Sequence, residues 1–170
     1  MNKFKMSFIV PIVAVLMTLP VFAEDKPAKK MSEALMKASE EGGWQVTADE
    51  VNMWIKTKKT DFIVLDVRPD VDEYNSGHIP SAIHIPYYAV LTPENLAKLP
   101  KDKKLVLVCA TGQLQNLPVA GLRMLGYDAY TMIFGYAAWI KDYMGGEAMK
   151  STIDKAAHKN YPLEQTGGLK

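Results

Sequence analysis

The stretch Leu105-Val106-Leu107-Val108-Cys109-Ala110-Thr111-Gly112-Gln113-Leu114 decides how this chain is read. Four consecutive apolar residues form a strand candidate, and Cys109 ends it. A polar loop then leads into residues 119–125, which read as a helix stopped at Gly126. Cys109 is the only cysteine in the sequence. A thiol at a strand-to-helix turn meets the backbone N–H groups of the helix start, and these favour thiolate over thiol. That makes Cys109 a candidate nucleophile, and its thiol is expected to be partly accessible, since a reactant must reach it in line. The competing reading is a small buried hydrophobe, because free cysteine is among the most buried residue types.

Working outward, the pattern repeats. Phe62-Ile63-Val64-Leu65 is a continuous apolar run of the kind buried on both faces of a parallel sheet. Shorter strand candidates are Trp44-Gln45-Val46, Ala82-Ile83-His84-Ile85 between Pro80 and Pro86, and residues 129–134. Thr47-Ala48-Asp49-Glu50 is a capping box that opens a helix carrying Val51, Trp54 and Ile55. Thr92 caps another helix, with Pro93 at its first position. Strands alternating with helices at this spacing predict one α/β domain, built on a mainly parallel five-stranded sheet flanked by helices. Sites in such sheets open beyond the carboxyl ends of the strands. Asp66 and Arg68 leave one such end and Cys109 leaves another, so all three are expected on one rim.

The ends divide from this domain by composition. Lys3 and Lys5 precede an uncharged run over residues 6–23, ending in Val21-Phe22-Ala23. The pattern predicts a signal peptide over residues 1–23, hence a periplasmic protein with no membrane association after cleavage. An uncleaved anchor is the alternative, although the clean apolar stretch is shorter than the ~20 residues of a spanning helix and holds Pro11. Residues 24–43 read as a charged leader and a short helix starting at Ser32, residues 44–145 as the domain, and residues 146–170 as a polar tail. The chain carries 20 basic and 19 acidic residues, so nucleic acid is not an expected partner. One cysteine in an oxidising compartment forms no intramolecular disulfide, and the fold must rest on its core. His78, His84 and His158 are scattered and make no metal site with one cysteine, and no cofactor is called for. His78 is expected to bond locally before Ile79-Pro80, and Trp44, Trp54 and Trp139 to anchor the core.

Leu65-Asp66-Val67-Arg68, then Glu73-Tyr74, then Gly77-His78-Ile79-Pro80-Ser81-Ala82-Ile83-His84-Ile85-Pro86, resembles the opening signature of rhodanese-like domains. Residues 105–112 followed by Leu125-Gly126-Tyr127 are similar to that family's active-site loop and helix. Gly135 and Trp139 match its closing segment, with Tyr136 where a second glycine is commoner. The resemblance runs in order from about residue 46 to 143. It implies a sulfurtransferase, in which Cys109 takes a sulfane sulfur from a donor (thiosulfate, a persulfide or a polysulfide), holds it as a persulfide and passes it to a nucleophilic acceptor. It also implies that Ala110, Thr111, Gly112, Gln113 and Leu114 form a backbone cradle for the sulfur, an anion nest at a helix start. Gly112 fits a position that needs positive φ or close approach. Apart from the resemblance, Asp66 and Arg68 leave a strand end just before Pro69, where both are expected to lend structural support. Asp66 is expected to accept hydrogen bonds from nearby backbone or from Arg68, and His78 to support its own turn.

The departures from the family bear on the substrate. Many active members carry arginine directly after the cysteine and again five residues on; here those positions are Ala110 and Leu114. The loop contributes no cation for a thiosulfate dianion, which leaves Arg68, and more remotely Arg123, as the expected substrate-binding cations. A cysteine-dependent phosphatase would need arginine six residues after the cysteine, and that position is Gln115. The rival reading is a sulfur carrier without turnover, or a degenerate binding domain that docks on a periplasmic redox or sulfur-relay protein.

Overall fold

The computed structural model describes residues 26–159 and 161–164; the expected signal peptide lies outside the described residues. Among them, five strands form one sheet: β1 (Gln45–Val46), β2 (Phe62–Asp66), β3 (Ile83–His84), β4 (Lys104–Val108) and β5 (Asp128–Met132). Every pairing is parallel, in the order β1-β5-β4-β2-β3. The two apolar runs of the sequence become the adjacent inner strands β2 and β4, in register Leu65↔Leu107 and Asp66↔Val108. The two-residue edge strands β1 and β3 leave little unpaired ladder exposed.

The two-residue period of a strand sends alternate side chains into two cores. On one face Leu65, Val67, Leu105, Leu107, Cys109 and Ala129 pack with Val119 and Leu122 of α5 (Asn116–Met124). On the other, Val64, Val106, Val108 and Met132 pack with Val51 and Tyr136. Val51 comes from α2 (Ala48–Lys56), and Tyr136 opens the single turn α6 (Tyr136–Trp139). The short helices α3 (Val71–Ser76) and α4 (Pro93–Leu96) come between β2 and β4 in the chain. Helix α2 starts at the predicted capping box: Thr47 N–H donates to Glu50 Oε2 at 2.7 Å, and Glu50 N–H donates to Thr47 Oγ1 at 3.2 Å.

The N-terminal helix α1 (Lys26–Glu40) is longer than the short one expected from Ser32 and takes in most of the charged leader. Pro27 sits in its first turn, where a missing N–H breaks no helical bond. Ala34 and Ala38 turn toward the α5-side core, and that packing accounts for order the leader's charge did not suggest. The last strand is shorter than expected. It ends at Met132 because Phe134 adopts φ +60°, which no strand accommodates. After the domain comes α7 (Glu147–Ala156), whose residues are exposed except for a half-covered Met149.

Candidate active site

The loop after β4 is pinned at its root. Cys109 N–H donates to Gln115 Oε1 at 2.9 Å, and the Cys109 and Ala110 carbonyls accept from Tyr136 N–H at 2.9 Å and Ala137 N–H at 3.0 Å. Gly112 lies at φ +86°, and a Cβ there would stand 2.9 Å from the Phe134 nitrogen. Both the positive φ and the close approach expected of it are present. Gly135 presses from the other side, where a Cβ would overlap the Cys109 carbonyl oxygen. Asn116 Nδ2 holds the Gly112 carbonyl at 2.7 Å. Among the described residues, the amides of Ala110, Thr111, Gly112, Gln113 and Leu114 donate to no protein acceptor. Five successive N–H groups therefore remain open at the start of α5.

Cys109 itself is 1 % exposed, where a partly accessible thiol was expected. Strand parity is the reason. Cys109 continues the alternation of Leu105 and Leu107 and enters the core beneath α5. Leu114 also packs against that core, so the position five residues after the cysteine is apolar in environment as well as in chemistry.

Parity also separates Arg68 from the thiol. Asp66 shares the face of Val64 and Val108, opposite the face that takes Cys109. The rim is common to both, but their side chains leave it on opposite sides of the sheet. Arg68, 2 % exposed, turns to Asp66: its Nη2 donates to Oδ2 at 2.7 Å and its Nε to Oδ1 at 3.1 Å. Nη2 also donates to the Gly77 carbonyl at 2.9 Å, and the guanidinium lies 4.0 Å from the centre of the Tyr136 ring. Burial works against its charge, but the hydrogen bonds to Asp66 and Tyr143 outweigh that and push its pKa up. The expectation that Arg68 binds substrate is corrected: a guanidinium sealed between Asp66, Gly77 and Tyr136 has no face left for an anion. Arg123 is likewise turned away, bonded to the Ala129 carbonyl at 2.7 Å and paired with Asp128 at 3.0 Å.

Asp66 is a hub. Besides Arg68 it accepts from Tyr136 Oη at 2.9 Å, while Tyr136 Oη accepts from Ile79 N–H at 3.0 Å. Burial, followed by the Asp66 charge, raises the Tyr136 pKa, so the phenol stays a donor to that carboxylate. His78 bonds locally through Nδ1 to the Tyr74 carbonyl at 3.0 Å and stacks on the Tyr74 ring at 4.1 Å. Two residues of the site were not singled out as such from the sequence. Tyr136 was noted only as a departure from glycine, and Gln115 only as a missing arginine. The available signal was position: each lies next to a turn that must approach Cys109.

A family model of the rhodanese-like domain matches residues 47–142. The thiosulfate sulfurtransferase GlpE of Pseudomonas savastanoi pv. phaseolicola is 32 % identical over 82 residues, covering 48 % of this chain and 74 % of that protein. The probable adenylyltransferase/sulfurtransferase MoeZ of Mycobacterium tuberculosis is 34 % identical over 100 residues, covering 58 % of this chain. The match spans only 25 % of MoeZ, so the likeness is to one part of a longer protein. A crystal structure of a rhodanese-like domain protein from Staphylococcus aureus superposes with a TM-score of 0.51 at 31 % identity, over 58 % of this chain and 92 % of that one. With its parallel sheet, its cysteine at the end of β4 and this match across more than half its length, the chain belongs to the rhodanese-like domain family.

Proposed function

We propose that the protein is a sulfurtransferase acting through a Cys109 persulfide. The observation that carries this reading is the row of five uncommitted amides, residues 110–114, directly after the lone thiol. Such a row stabilises a thiolate, and afterwards the negative terminal sulfur of a persulfide, without any cation. In the first step the Cys109 thiolate attacks the sulfane sulfur of the donor. A Cys109 S–S bond forms, the donor's own bond to that sulfur breaks, and its remainder leaves with the electron pair. In the second step a nucleophilic acceptor attacks the terminal sulfur and the Cys109 thiolate leaves, restoring the enzyme.

With Arg68 and Arg123 committed elsewhere, a persulfide or polysulfide suits this loop better than the thiosulfate dianion, whose oxygens call for a guanidinium. A protein-bound persulfide of a sulfur-relay partner belongs to the same class. The basic start and uncharged run of residues 1–23 place this chemistry, in our reading, in the periplasm.

Intact mass of the purified protein after exposure to thiosulfate, glutathione persulfide and polysulfide tests the reading. A gain of about 32 Da, removed by cyanide and absent from Cys109→Ser, is expected with polysulfide and persulfide before thiosulfate. Loading followed by a single transfer without further turnover would favour the carrier reading. No sulfur adduct with any donor would overturn both.

A further inference from the structure

The Gln115 side chain is 1 % exposed, and both ends of its amide are bonded to backbone. Oε1 accepts the Cys109 N–H at 2.9 Å, and Nε2 donates to the Met132 carbonyl at 2.6 Å. Cys109 is the first residue after β4, Met132 is the last of β5, and Gln115 is the residue before α5. One side chain therefore joins the ends of two neighbouring strands to the start of the helix, with the loop closed into a ring between them. Among the described residues the Cys109 N–H has no other acceptor. A buried donor or acceptor left unpaired costs about 1–3 kcal/mol, so each end of the strut holds the other in place.

We propose that Gln115 is a positioning residue for the nucleophile. It fixes the Cys109 backbone, and with it the direction of the five open amides that follow. It also removes the Cys109 N–H from the cradle, so the donors available to sulfur begin at Ala110. An asparagine is one methylene too short to span both partners, and a glutamate would set a carboxylate oxygen against the Met132 carbonyl. Only an amide of this length serves both ends.

Gln115→Met keeps the length and bulk of the side chain and removes both hydrogen bonds. Three measurements on it and the wild type decide the matter: iodoacetamide alkylation of native Cys109 at pH 8, persulfide loading from polysulfide, and backbone amide exchange. Freed from its strut, the loop should open more often, and alkylation should run about fivefold faster. Loading needs aligned amides as well as access, and should run about tenfold slower. A side chain that merely supports the fold would move both rates in the same direction, and that result, or no change in either, would overturn the proposal. The transfer measurement rests on the sulfurtransferase reading. If the wild type takes sulfur from no donor, that reading fails, while alkylation and exchange still judge Gln115. If the variant does not fold, exchange in the wild type decides. The Cys109 amide should exchange about 100-fold more slowly than those of residues 110–114, and equal rates would show that the strut is not made.

Discussion

At the scale of single residues, the most consequential group after Cys109 is Asp66, because it neutralises a buried guanidinium. Removing one partner of a buried ion pair leaves an uncompensated charge and costs about 3–5 kcal/mol. Asp66→Asn keeps the shape but loses the charge beside Arg68, and also weakens the acceptor for Tyr136 Oη. We expect it to lower the melting temperature sharply, while any folded fraction still reacts at Cys109 on the opposite face of the sheet. A variant that melts with the wild type but no longer takes up sulfur would place Asp66 in the chemistry. That Asp66 and Cys109 share a rim was legible from two apolar runs with polar residues at their ends. That they point to opposite faces was also present in the sequence, since counting by two from Leu65 and Leu107 puts Val67 and Cys109 on one side and Asp66 on the other. The ends of the strands define the rim that Arg68 and the thiol share, and only strand parity separates the two.

At the scale of elements, the start of α2 was the most readable feature, because its capping box is a local exchange between residues three apart. By contrast, Thr92 makes no side-chain cap bond, and α1 begins well before Ser32. The α2 capping box also carries a measurable pH dependence. The Thr47 backbone N–H, followed by its hydroxyl, holds the Glu50 carboxyl below its ordinary value of 4.5. A group with a lowered folded value adds stability above its unfolded value, and that stability is lost as pH falls through the folded one. The advantage of the wild type over Glu50→Gln in thermal melts should therefore be full at pH 7 and shrink as pH drops below 4.5. An advantage that is flat or grows on acidification would show that the capping box is not made in solution. Thr47→Ala should cost about 1 kcal/mol at neutral pH, as loss of an N-cap does. The loop around Cys109 was less legible. Its glycine was recognised, but the segment that shapes it, Phe134-Gly135, lies more than twenty positions further along the chain. A contact between two turns far apart in sequence leaves no periodicity to read.

At the scale of the whole molecule, stability and chemistry draw on the same three strands. β2, β4 and β5 are paired along their length and covered on both faces, and β4 ends at the thiol. The two ends of the chain differ in how they join this body. Helix α1 reaches the core through Ala34 and Ala38, and Glu41 just beyond it accepts from Trp44 Nε1 at 2.9 Å. Helix α7 presents exposed residues along its length, with only Met149 half-covered near Thr111 and Phe134. Ending the chain after Gly146 should therefore cost no more than about 1 kcal/mol, or about 2–4 °C in melting temperature. The shortened protein should melt cooperatively and keep its sulfur uptake, because among the described residues no hydrogen bond of the Cys109 loop comes from the segment removed. A chain ended there that loses its cooperative transition would show that α7 belongs to the folding unit. One that melts normally but loads sulfur at a different rate would make Met149, beside the open amides, the contact through which the tail acts on the site.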